Sequence, residues 1–189
     1  MKPRFVLLAA LAASSLLALA QPNTRLAPPW MTAGKTPEQY DSGRDVDGSQ
    51  SGTPGAVYIR HAHGSGDSWG TLMQQFSAEA YKGKRVRFEA DVMTRDVTDW
   101  SGLWMRVDSK GNYSSAFYNS QDQPIKGTTG WQHRSVVLDV DDTGEAISFG
   151  VIGAGKGETW LRNLQFGIVG DDVPVDQMPP QEMPKAPAL

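Results

Sequence analysis

Cysteine is absent from all 189 residues. That excludes disulfide staples, thiolate nucleophiles, cysteine zinc sites and iron–sulfur clusters. An excess of one charge is also missing. Lys+Arg number 18 against Asp+Glu 21, a formal net charge of −3, so there is no electrostatic footprint for nucleic acid or anionic lipid. Helical periodicity is scarce, and no second long apolar run follows the one at the start of the chain. What remains is 39% hydrophobic and 21% charged, and long enough for one domain with its own core.

The opening run has the anatomy of an export signal. Residues 1–4 (MKPR) are a basic n-region, residues 5–20 an apolar h-region, and Ala18-Leu19-Ala20 a small-x-small cleavage pattern. The other reading of this segment is an uncleaved N-terminal anchor. Gln21 stands where a bacterial lipoprotein carries cysteine. The expectation is a signal peptide over 1–20 and an exported protein, periplasmic or extracellular, with no membrane span after its removal. Lys2 and Arg4 leave with the segment, taking the net charge from −3 to −5.

Residues 21–37 are proline-rich and aperiodic, a lead-in that docks through Trp30 if it docks at all. From Asp171 the chain is again rich in proline, and 171–189 is expected to be a disordered tail, because so little apolar surface does not offset chain entropy. Between them, period-two alternation recurs. Val86, Phe88, Ala90 and Val92 alternate with charged residues, and Leu103, Met105 and Val107 alternate with Trp104, Arg106 and Asp108. Leu72 to Tyr81 reads equally as a helix or as a strand ending in a turn. Turn-forming stretches at 109–112, 126–130, 141–144 and 153–157 separate the strands. The pattern predicts an all-β fold over 38–170, an antiparallel two-sheet sandwich of the jelly-roll kind.

Catalytic motifs mostly fail. Residues 150–156 nearly spell a phosphate-binding loop, but Gly157 replaces the magnesium-ligating Ser/Thr and a strand, not a helix, follows. The Gly-Ser-Gly of the 63–70 stretch lacks nucleophile-elbow spacing. His61 and His63 share a strand face, as two metal ligands do, but no third ligand is fixed by spacing. Asp41, Asp45 and Asp47 lie among glycines, suited to a structural calcium ion and equally to an ordinary turn. No other cofactor is expected.

Strand parity yields the most informative surface. With Phe88 and Met105 inward, Arg87, Glu89, Asp91, Trp104, Arg106 and Asp108 face outward, joined by Tyr118 and Ser114 if Phe117 points in. Aromatic rings stack on the apolar faces of pyranoses while charged groups bond their hydroxyls, so Trp104, Arg106, Tyr118, Asn119, Arg87 and Glu89 form the expected ligand site. The competing reading is a solvated face with weak cross-strand pairs. A glycosidase reading draws on Glu89, Asp91 and Asp108. Arg87 and Arg106 beside them oppose the raised pKa that a general acid needs.

Several stretches resemble a known module. AYKGKRVRFEADV (80–92), WSGLWMRVD (100–108), PIKGTTGWQ (124–132), VVLDV (136–140), ISFG (147–150) and GAGKGETWL (153–161) occur in that order. Together they resemble an uncharacterised bacterial β-sandwich module that is similar to carbohydrate-binding, galactose-binding-like jelly rolls. The module is found beside the DNA-binding part of AraC-type regulators and in some secreted hydrolases. The resemblance spans about residues 38–169 and implies a non-catalytic exported sandwich that binds a carbohydrate or cell-envelope polymer, with a structural or protein-interaction module as the alternative. One departure stands out. The module's F-D-N-M-x-x-R-P-I is Phe117 to Ile125 here, with Tyr118 and Gln123 at its acidic and arginine positions. No DNA-binding part is matched, so a transcriptional role is not carried over.

Overall fold

The computed structural model describes residues 26–180; the expected signal peptide lies outside them. Nine antiparallel strands make up nearly all of the regular structure: β1 (Met31–Gly34), β2 (Tyr40–Asp45), β3 (Ala56–His61), β4 (Trp69–Ser77), β5 (Lys84–Ser109), β6 (Asn112–Tyr118), β7 (Ile125–Val140), β8 (Gly144–Ala154) and β9 (Glu158–Val169). Helix among the described residues is limited to two three-residue 3-10 turns. The ambiguous Leu72–Tyr81 stretch is strand β4 followed by one of those turns.

The 26-residue β5 builds both layers. Its first half pairs with β7 and β9, its second half with β8 and β6. Between the halves the register slips repeatedly from Val92 to Ser101, and Asp96 takes a left-handed φ of 54°. Such bulges bend a strand sharply, and here they carry β5 from one sheet into the other. Layer A runs β2-β3-β9-β5-β7 and layer B runs β1-β4-β8-β5-β6, an antiparallel β-sandwich.

The expected alternation holds in both halves of β5. Val86, Phe88, Ala90 and Val92 from layer A meet Leu103, Met105 and Val107 from layer B in one buried cluster. Phe88 and Phe149 join the layers at 4.4 Å between ring centroids, and Phe166 stacks on Phe149 at 5.3 Å. Gly150 sits where β4 and β8 approach most closely: a Cβ there would lie 2.1 Å from the Leu72 carbonyl oxygen, so no other residue fits.

Both ends of the domain are packed against the sandwich. The lead-in docks through Trp30, whose ring packs edge-on against Phe149, and it also supplies β1. The tail is docked over residues 171–178. Arg85 donates to the carbonyls of Asp171 and Val173, Asp176 exchanges two hydrogen bonds with Val137, and Val175 and Met178 pack on the core. The open edge of β7 gives this part of the tail its backbone partner at Val137.

Candidate functional site

On the outer face of layer B lies a cleft of about 1110 Å³. Outward parity from Trp104 continues to Trp100 in one direction and Arg106 in the other, while β4 contributes Trp69, Thr71 and Met73. Cross-strand register sets Trp69 and Trp100 on either side of Ala154, in β4 and β5 with β8 between them. Strand spacing therefore separates their backbones by about 10 Å. Trp69 is 39% exposed and rests its Cε3 against Gly34, where an added Cβ would lie 3.1 Å away. At the other end of the cleft, β6 presents Phe117, 36% exposed, and Tyr113, 73% exposed.

Trp104 forms the floor. It does face away from Leu103, Met105 and Val107, yet it is only 6% exposed and packs with Met73, Ile152 and Ala154. Its Nε1 donates to Thr71 Oγ1 at 2.7 Å, and that hydroxyl donates onward to the Val151 carbonyl at 2.9 Å. A ring so held is a packing element, and the surfaces free to stack belong to Trp69, Tyr113 and Phe117.

Charge around the cleft is mixed. Arg106 is neutralised by Asp108 at 2.9 Å and lies over the Tyr113 ring at 4.2 Å, which fixes that exposed ring in place. Lys35, Asp67 and Asp99 line the opposite end, with no ion pair within 4.0 Å among the described residues. The rim there is tied down by Tyr40, whose Oη lies 2.9 Å from both the Ser68 and Gly155 carbonyls. Burial, and then the Asp99 carboxylate, raise the Tyr40 pKa above that of a free phenol, so the hydroxyl keeps its proton.

No family model matches the chain. It is 36% identical over 155 residues to an uncharacterised HTH-type transcriptional regulator, YbfP of Bacillus subtilis, a match covering 82% of this chain and 52% of the regulator. The chain thus spans about half the length of that curated relative. Three solved structures share the architecture. Xylanase 10B of Clostridium thermocellum, as CBM22-1–GH10 modules with xylohexaose, gives a TM-score of 0.55 at 8% identity, over 78% of this chain and 27% of that one. The CBM22-1 xylan-binding domain of Paenibacillus barcinonensis Xyn10C gives 0.53 at 9% identity, over 79% and 90%. A putative sugar-binding protein from Bacteroides thetaiotaomicron gives 0.52 at 11% identity, over 77% and 90%. The fold is that of the carbohydrate-binding β-sandwiches.

Within that sandwich the expected site residues separate. Trp104, Arg106 and Asn119 line the cleft. Tyr118 does not: it is 3% exposed, inside the main core, because β6 pairs it with inward-facing Met105 and turns Phe117 outward. A one-residue error of parity exchanges the two faces. Arg87 and Glu89, paired with each other at 2.8 Å, lie on the outer face of layer A, across the core from the cleft. The glycosidase carboxylates are divided in the same way. Asp108 is held by Arg106 in layer B, while in layer A Glu89 and Asp91 flank His133 at 3.6 and 3.5 Å. Hydrogen bonds from Asn163 and Arg162 lower the Asp91 pKa, opposite to the need of a general acid.

Of the aspartates of the 41–47 stretch, Asp45 and Asp47 come together and Asp41 does not join them. Asp41 faces Arg60 at 3.6 Å, Asp45 Oδ2 accepts the Ser51 amide and hydroxyl, and Asp47 Oδ1 accepts the Ser49 amide. The first is a cross-strand pair and the others are turn contacts, and among the described residues no three His, Asp or Glu side chains gather as a metal site requires. His61 ends β3 with its ring against Tyr40, while His63 lies beyond the strand and exposed. The residues missed by sequence reasoning were Trp69, Trp100, Tyr113 and Phe117. Trp100 was within reach, two parity steps before Trp104.

Proposed function

We propose that this protein is an exported, non-catalytic β-sandwich that binds a carbohydrate chain in the cleft of layer B. The observation that carries the reading is the set of exposed rings, Trp69, Tyr113 and Phe117, around one open cleft. Sugars hide little apolar surface, so a useful site needs rigid aromatic platforms beside polar partners. Lys35, Asp67, Asp99 and Asn119 supply the polar partners. Solved structures of the same fold include a xylan-binding domain, which supports the ligand class. The export signal read over residues 1–20 supports a role outside the cytoplasm, and no helix of the described residues is long and apolar enough to cross a membrane. Ordering and desolvation costs set the expected affinity at about 0.01–1 mM for a single glycan contact.

A polysaccharide array tests the reading. Wild-type protein retains at least one plant or envelope glycan, and Trp69→Ala and Phe117→Ala lose it with unchanged thermal stability. An array that captures nothing leaves the interaction-module alternative standing.

A further inference from the structure

A second pocket of about 220 Å³ opens at the seam where the edges of β6 and β7 meet and the tail lies across them. Segment 118–123 divides it from the cleft: Asn119 and Gln121 line the cleft, and Tyr118, Ser120 and Gln123 line the seam pocket. The space is roughly a fifth of the cleft's, room for one sugar unit rather than a chain.

Most polar groups in its wall are already committed. Tyr118 Oη donates to Asp122 Oδ1 at 2.7 Å, and Ser120 Oγ donates to the Leu103 carbonyl at 2.7 Å. Two charged side chains are not. Arg134 pairs across the ladder with core-facing Ala90, so its guanidinium is directed between the layers. Its Nη2 donates to Gln132 Oε1 at 2.8 Å, but its Nε is buried with no hydrogen-bond partner, and no carboxylate among the described residues lies within 4.0 Å. An unmet donor costs free energy, and Nη1 likewise has no protein acceptor, so the guanidinium keeps bonding capacity to spare. Opposite stands Asp176, delivered by the docked tail. Its Oδ2 accepts the Val137 amide at 2.8 Å, and its Oδ1 has no protein donor. Burial, opposed by the Val137 bond and aided by the Asp122 charge, raises the Asp176 pKa.

We propose that the seam pocket binds a single neutral sugar unit, whose adjacent hydroxyls bridge the Arg134 guanidinium and the Asp176 carboxylate. The donor and the acceptor line one pocket but are too far apart to satisfy each other. Vicinal hydroxyls both accept and donate, so they match the pair. An anion meets repulsion from Asp176 and Asp122, and a cation meets Arg134. This site is separate from the cleft, and its docked roof explains why residues 171–178 are held by Arg85 and Val137.

Titration of isotope-labelled full-length protein with D-glucose, D-galactose, D-mannose and D-xylose, followed by the Arg134 Nε–Hε resonance, tests the proposal. At least one sugar is expected to shift that resonance saturably at millimolar concentration. Asp176→Asn keeps an oxygen for the Val137 amide and so preserves docking, and it should weaken binding by at least about tenfold; Arg134→Met, which lacks the reporter and is followed by the Val137 amide resonance, should do the same. Trp69→Ala should leave the shift intact. If none of the four sugars moves the resonance, the pocket holds water only and the proposal fails. If Trp69→Ala abolishes the shift, the sugar was in the cleft and the seam site is rejected, while the cleft reading survives.

Discussion

Met105 and Tyr118 stand directly opposite one another across β5 and β6, and both are buried. From that pairing follows the orientation of the two adjacent rings that end β6: Tyr118 belongs to the core, and Phe117 to the wall of the cleft.

Neighbouring residues should therefore respond in opposite ways. Tyr118→Ala is expected to cost about 3–5 kcal/mol, the range for deleting a core aromatic, and to lower the chemical-denaturation midpoint. Phe117→Ala should leave the midpoint unchanged within error and weaken glycan retention. Equal effects on stability would mean that the β6 register is wrong.

The same contrast separates the tryptophans of the cleft. Trp104→Ala removes a ring held by Thr71, Met73 and Ile152, and a stability loss of about 3–5 kcal/mol is expected. Trp69→Ala should cost under about 1 kcal/mol, because a large share of its surface is already in water. Differential scanning calorimetry on the two variants checks the order.

Calcium should not stabilise the domain. Asp41 is paired with Arg60 across the ladder, and Asp45 and Asp47 accept turn donors, so the three do not converge on one ion and the melting temperature in chelator is expected to equal that in excess calcium. A rise with calcium would show a site assembled from other ligands.

Acid should weaken the fold through His61. Burial, then Lys156 and His63, lower its pKa, and Nε2 is buried with no partner. A depressed imidazole pKa means that the unfolded chain binds a proton more readily than the folded one. Stability is therefore fully present above the unfolded value of about 6.5 and falls as pH drops from there toward the folded value. Melting curves at stepwise lower pH should show that decline, and it should be shallower in His61→Gln.

Truncation after Gly170 should destabilise the sandwich by about 2–4 kcal/mol, because Val175 and Met178 leave the core and the Arg85 and Val137 contacts are lost. A truncated protein as stable as the full chain would show that the tail only rests on the seam.

Much of the fold was legible in the chain itself. Alternation at 86–92 and 103–107 placed Phe88, Leu103 and Met105 in the core, since a side-chain period of two reports which face is buried. The glycine-rich 153–157 turn was legible for the same local reason: positive φ at Gly155 and Gly157 suits a tight reversal and no phosphate loop. What period two leaves unstated is which outward faces are shared. Arg87 and Trp104 both point away from the core, yet β5 bends between them, so they end on opposite sides of the molecule. Nor does local pattern say what covers an outward ring. Trp104 became floor because β4 brings Thr71 and Met73 beside it, and Trp69 became wall because Gly34 lets it lie against β1. Those choices depend on strands distant in sequence, and only the assembled sandwich makes them.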